Sequence, residues 1–147
     1  MNNTVLIVVD TNSEVKDATH LTALNAEVVK PLMESFGKNV IITQDKSGKK
    51  LLSNVITDEN IITFDKESYG TFGLVNYMKT KYVLRKVSSV EIIGGYLETD
   101  IMTIALMLQA EMPALHIIVD MHACVAISSE GKMAAIKILN SCGIEVR

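Results

Sequence analysis

The sequence has no tryptophan and only two cysteines, and aromatic residues make up 5% of its 147 residues. So few aromatic side chains leave little surface on which nucleotide bases could stack. The net charge of −3 gives no general attraction to nucleic acid or to anionic membranes. Two cysteines do not make a disulfide scaffold, and these two do not form a Cys-x-x-Cys metal pair. Composition therefore argues against the nucleic-acid-binding and disulfide-stabilised classes.

Long apolar runs are also missing. Polar residues interrupt the longest one at Asp100, Gln109, Glu111 and Asp120, so it falls short of the length that crosses a membrane. The first residues lack the charged start and apolar centre of a signal peptide. We therefore expect a cytoplasmic protein without membrane contact, folded as a single domain over residues 1–147.

Short runs rich in β-branched residues alternate with helical patterns along the chain. The predicted strands are 5–9, 40–43, 61–64, 90–95, 115–119 and 144–146. The predicted helices are 21–36, 69–81, 99–112 and 131–142. Pro31 either kinks the first of these or divides it into two helices, with Pro31 opening the second. Apolar strands that alternate with helices favour an α/β fold of three layers, with a doubly wound, mostly parallel six-stranded sheet.

The helical patterns also predict which side chains face the core. The helix 99–112 is apolar almost all round and should be buried. In the helix before it, Phe72, Val75 and Met78 are predicted to share one face. In the helix after it, Met133, Ile136 and Leu139 are predicted to point inward. His116 is predicted to be a hydrogen-bonded core residue, and Cys142 a packing residue.

Sheets of this type bind ligands beyond the carboxyl ends of their strands. The residues that follow the predicted strands are Asp10, Asp45, Lys66, the stretch 96–102 and His122. These are the positions at which the sequence predicts a binding or catalytic site.

Three separated sequence motifs occur along the chain, and their order is informative. The first is an apolar strand ending at Asp10, and the second is a strand followed by Lys66-Glu67-Ser68-Tyr69-Gly70-Thr71-Phe72. The third is Gly94-Gly95-Tyr96-Leu97-Glu98-Thr99-Asp100-Ile101-Met102. Together they resemble the cysteine hydrolases of the isochorismatase and nicotinamidase family. The resemblance implies an isochorismatase-like fold with a site built from an aspartate, a lysine and a cysteine.

By this resemblance, Asp10 and Lys66 occupy two of the three catalytic positions and are expected to form an ion pair. In the family the aspartate is the general base and the lysine supports the thiolate. Met102 occupies the third position, where the family has its nucleophilic cysteine. A thioether has no proton to lose, so Met102 cannot act as a thiolate. The resemblance also places a non-proline cis peptide bond at Leu97–Glu98.

The implied ligand-binding residues share a place at the strand ends or in the three motifs. They are Asp10, Lys66, Tyr69, Phe72, Tyr96, Leu97, Glu98, Met102 and His122. For the aromatic residues among them, core packing is an equal alternative. No cofactor is expected.

Nicotinamidases hold a metal after the second strand, and Asp45 matches their aspartate. Lys46 and Ser47 follow it, and no histidine is near. We therefore expect no metal at this position.

Two functions remain open on the sequence. One is a pseudoenzyme that binds or sequesters a small metabolite or nucleotide-derived molecule without hydrolysing it. The other is a hydrolase of a small amide or enol ether, with water activated by Asp10 and Lys66, or with Cys124 as a displaced nucleophile two residues from His122. A purely structural subunit that pairs with an active relative is a third possibility.

The resemblance also bears on assembly. The family forms dimers or larger assemblies, and the methionines of helix 99–112 suit such an interface. A homo-oligomer, either a dimer or a tetramer, is expected.

Overall fold

A computed structural model describes residues 3–9, 25–46, 61–66 and 68–147. Six strands of this part form one sheet with the order β3-β2-β1-β4-β5-β6. They are β1 (Thr4–Val9), β2 (Val40–Asp45), β3 (Ile62–Lys66), β4 (Ser89–Gly95), β5 (His116–Val125) and β6 (Glu145–Val146). Every pairing among them is parallel, which confirms the predicted α/β fold with its six-stranded sheet.

Within the described ranges, four α-helices connect the strands: α1 (Lys30–Phe36), α2 (Phe72–Arg85), α3 (Met102–Glu111) and α4 (Ser129–Ser141). A π-helical turn leads into α1 at Asn25–Val29, and another leads into α3 at Leu97–Ile101. Pro31 lies in the first turn of α1, where the N–H that it lacks has no partner within the helix. No helix in the described ranges is both long and apolar enough to span a bilayer.

The sheet is the middle of three layers. On one face, Ile7 and Ile92 pack with residues of α2, α3 and α4 in the larger core cluster. On the other face, Leu6 and Ile42 pack with Val29 and Met33 around α1. Successive residues of a strand point to opposite faces, so an apolar run such as Val5–Val9 serves both clusters at once.

The predicted helix faces were wrong in part, since Val75, Met78 and Leu139 are buried but Phe72 and Met133 are exposed. Phe72 is 79% exposed, because the buried face of α2 begins at Leu74 and a residue two positions earlier lies on the opposite side of a helix. Met133 is exposed for the same reason, since Ala135 and Leu139 form the buried face of α4. Helix α3 buries Ile104, Ala105 and Leu108, whereas Glu111 is exposed, so it is buried along one side only.

Strand β5 is longer than predicted and irregular. Its register with β4 shifts between two pairs, Ile92 with Val119 and Gly94 with Cys124, so extra residues bulge from the strand there.

His116 begins this strand and is exposed, contrary to the core position predicted for it. Its ring nitrogen Nε2 lies 2.7 Å from Glu145 Oε2. Cys142 is exposed at the end of α4 rather than packed.

The end of β4 has a backbone that only glycine suits. Gly94 has φ of 114°, and a Cβ atom there would lie 2.1 Å from the carbonyl oxygen of Val9. The peptide bond that joins Gly95 to Tyr96 is cis. The prediction of a cis bond at Leu97–Glu98 was therefore wrong, because those two residues already belong to the helical turn.

We predict that Gly94→Ala destabilises the fold by about 3 kcal/mol or more, since the added methyl group overlaps β1 and the φ value disfavours it. Gly37→Ala is the matched control. Gly37 also has a positive φ, 56°, but no atom lies within 4 Å of a Cβ built there, so a cost of about 1 kcal/mol is expected. Urea denaturation of both variants tests this difference, and equal costs would contradict it.

Candidate functional site

Lys66 is a charged side chain buried at the carboxyl end of β3. Its side chain is 0% exposed. The ammonium nitrogen Nζ donates to Asp100 Oδ1 at 2.5 Å, and Asp45 Oδ1 lies 3.5 Å away. A buried ammonium group is tolerated when carboxylates surround it. Lys66 is therefore buried rather than on the surface, and its membership of a functional site stays a prediction.

The helical turn before α3 brings Asp100 to Lys66. The carbonyl oxygen of Tyr96 accepts the N–H of Ile101 at 3.0 Å, which closes a wide turn. Within that turn, the Thr99 hydroxyl donates to Asp100 Oδ2 at 2.8 Å. Each oxygen of the Asp100 carboxylate therefore has a donor, and only 12% of its side chain is exposed.

Asp45 reaches Lys66 through strand pairing. The two residues are register partners at the ends of β2 and β3, so their side chains lie on the same face of the sheet. The Asp45 side chain is 31% exposed, which makes it the more accessible of the two carboxylates. The described cluster thus holds one ammonium group and two carboxylates, with a formal charge of −1.

Met102 is the first residue of α3 and follows Asp100 by two positions. Its side chain is half-buried and packs against the larger core cluster. It can supply apolar contact but neither a proton nor a thiolate.

Three other predicted ligand-binding residues serve the fold at this turn. Leu97 is fully buried in the core, and Tyr96 is 7% exposed. The Glu98 carboxylate accepts the backbone N–H of Ile127 at 2.8 Å and that of Ser128 at 3.1 Å. Glu98 therefore ties the turn to the start of α4, and its carboxylate is occupied by hydrogen bonds to the backbone.

The remaining predicted residues do not join the Lys66 cluster. Tyr69 and Phe72 are exposed at the start of α2, and His122 is exposed in the irregular part of β5. Asp10 lies outside the described residues, so its predicted pairing with Lys66 stays a prediction. The nearer of the two described partners of Lys66 is Asp100, which the sequence analysis did not select although it stands inside the third motif.

Cys124 is placed poorly for a nucleophile. It lies on β5, four strands from β3, so the two backbones are about 19 Å apart at the usual strand spacing. Its thiol donates to the carbonyl oxygen of Ile92 at 3.9 Å. Burial raises the pKa of this thiol far above its ordinary value, and the Asp120 carboxylate raises it further. Little thiolate forms near neutral pH under these conditions.

The described side chains also do not form the metal site that the resemblance to nicotinamidases implies. Across the described ranges, no group of three His, Cys, Asp or Glu side chains converges as metal ligands would. The aspartate that matches the family's ligand, Asp45, has the Lys66 ammonium beside it instead. No chemistry is assigned to a metal here.

An open groove of about 370 Å³ lies elsewhere, between the sheet and the end of α2. Its lining includes Val5, Val40 and Ile62, which begin or nearly begin their strands. It is therefore at the opposite edge of the sheet from Lys66 and does not belong to this cluster.

Solved structures similar to this chain agree with the fold. A nicotinamidase from Staphylococcus aureus matches with a TM-score of 0.74 and 20% identity, over 100% of both chains. A pyrazinamidase of Pyrococcus horikoshii in complex with zinc gives a TM-score of 0.77 at 17% identity, covering 99% of this chain and 98% of that one. An isochorismatase family protein from Desulfovibrio vulgaris gives 0.76 at 12% identity, covering 99% and 94%. No family profile and no curated protein matches the chain.

We predict that Lys66 and Asp100 are energetically coupled. Lys66→Met leaves a buried carboxylate unpaired and should cost about 3 kcal/mol, whereas Lys66→Met combined with Asp100→Leu should recover about 2 kcal/mol of the summed single costs. Urea denaturation of the two single variants and the double variant measures this coupling. Asp45→Asn, at the more exposed carboxylate, should cost about 1 kcal/mol or less. Costs of the Lys66 and Asp100 changes that simply add would contradict the pairing.

Proposed function

Starting from an isochorismatase-like fold, we propose that this chain binds a small metabolite at the carboxyl ends of β2 and β3 and does not hydrolyse it. The observation that supports this most directly is the methionine at position 102, the first residue of α3, which follows Asp100, the buried partner of Lys66, by two residues. Lys66 and its two carboxylates supply charged groups for such a site, and by the sequence resemblance the position of the attacking group falls on Met102, a thioether.

The positions of the two cysteines support this proposal. Cys124 is partly buried, with a raised pKa, and its thiol contacts Ile92 rather than Lys66. Cys142 ends α4, and a helix that crosses over between parallel strands returns the chain to the edge where strands begin. That edge is opposite the one where Lys66 lies, so neither thiol offers covalent catalysis at this site.

The similar structures suggest the size of ligand to try first. Two of them are described as a nicotinamidase and a pyrazinamidase, enzymes whose names point to small planar amides. For this chain we propose a ligand of similar size, a small polar or planar metabolite. The single domain over residues 1–147 and the homo-oligomer remain part of this proposal.

The test uses nicotinamide as the probe. We expect the purified protein to bind it, and to release no ammonia above the rate of a protein-free blank. The bound compound should be recovered unchanged by mass spectrometry. Lys66→Met should abolish binding because Asp45 and the turn before α3 lose their anchor, whereas Lys79→Met should not, since Lys79 pairs with Glu111 on the surface. Circular dichroism verifies that both variants are folded.

Two outcomes would overturn the proposal. Ammonia release that stops after alkylation with iodoacetamide would show that a thiol is catalytic. Ammonia release that alkylation leaves unchanged would favour hydrolysis by activated water, the role that the sequence analysis considered for Asp10.

A further inference from the structure

The charges around Lys66 bear on which ligand this site can take. The Lys66 ammonium is completely enclosed, with Asp100 Oδ1 at 2.5 Å and Asp45 Oδ1 at 3.5 Å. A ligand anion would have to displace one of these carboxylates to reach it. Lys66 is therefore a poor partner for an anionic ligand, although a lysine in a site usually suggests one.

The group that the cluster offers to a ligand is a carboxylate. Asp45 is 31% exposed and Asp100 is 12% exposed, while Lys66 is not exposed at all. One positive charge stands against two negative charges, so the excess charge is negative and lies on the accessible side. Such an excess attracts a cation and repels an anion.

Neighbouring acidic groups do not share this role. Asp65 precedes Lys66 on β3 and therefore points to the other face of the sheet. Its Oδ1 accepts a hydrogen bond from Gln44 Nε2 at 2.9 Å. Glu98 is held by the backbone N–H groups before α4.

A second observation points to a missing partner at the same place. Thr43 lies two residues before Asp45 on β2, so both side chains are on the same face. Thr43 is 0% exposed, and its hydroxyl oxygen has no hydrogen-bond partner anywhere in the described structure. Buried hydroxyl groups are nearly always bonded, so an unbonded one on the same strand face as a carboxylate, two residues away, marks a place for a donor group.

We infer that the ligand of this site carries a small cationic group, a primary ammonium, that donates to Asp45 and extends toward Thr43. The inference rests on the proposed binding function and adds the charge of the ligand to it. Ligands with a carboxylate in the same position are disfavoured.

Three pyridines substituted at the same ring position separate the possibilities at neutral pH: 3-(aminomethyl)pyridine as the cation, nicotinamide as the neutral compound and nicotinate as the anion. Isothermal titration with the full chain should rank them in that order, with about a tenfold difference in Kd between cation and anion at least. Asp45→Asn should remove the preference for the cation while the affinity for nicotinamide changes by less than about threefold.

Asp65→Asn is the matched control, because it removes the same charge from the adjacent strand position on the opposite face. It should leave the ranking unchanged. Nicotinate binding as tightly as the amine, or a ranking that Asp65→Asn shifts as much as Asp45→Asn, would overturn the inference and leave the binding function standing. Hydrolysis of nicotinamide with the ranking intact would overturn the binding function alone. Failure of all three compounds to bind would overturn both.

Discussion

The burial of one lysine charge constrains the whole carboxyl edge of this sheet. An ammonium group without contact to water is tolerated only when carboxylates are held beside it. Lys66 obtains them from Asp45 on β2 and from Asp100 on the turn that follows β4. β3 and β4 are not neighbours in the sheet, so the Lys66–Asp100 contact joins two parts of the fold that strand pairing does not join. Together with the hydrogen bonds from Ile127 and Ser128 to Glu98, this contact fixes the turn before α3.

The same contact sets what the site can do chemically. A lysine that is fully engaged with carboxylates has little capacity to stabilise a developing negative charge, and Met102 has no nucleophilic proton or thiolate. What stays accessible is the outer carboxylate, Asp45, beside the unbonded hydroxyl of Thr43. The thioether at Met102 and the negative excess charge are the two features on which the proposed binding of a small molecule rests, within an isochorismatase-like fold.

Much of the fold followed from pattern alone, because continuous apolar strands such as Val5–Val9 are buried on both faces and leave a clear signal. The phase of the helices was less predictable. Phe72 and Met133 stand near helix starts, where an apolar residue continues the spacing but the buried face begins later. Lys66 could be selected by its place after a strand, yet its pairing with Asp100 could not, because that contact depends on how a π-helical turn folds back over the sheet.

The central claim is that the ammonium group of Lys66 is hydrogen-bonded inside the protein, and nuclear magnetic resonance can observe it directly. In a proton–nitrogen-15 spectrum of the lysine ammonium groups at neutral pH, exposed groups exchange with water and fade. The account predicts one protected ammonium resonance that disappears in Lys66→Met and shifts in Asp100→Asn. A spectrum in which the Lys66 ammonium exchanges as fast as that of an exposed lysine such as Lys79 would contradict it.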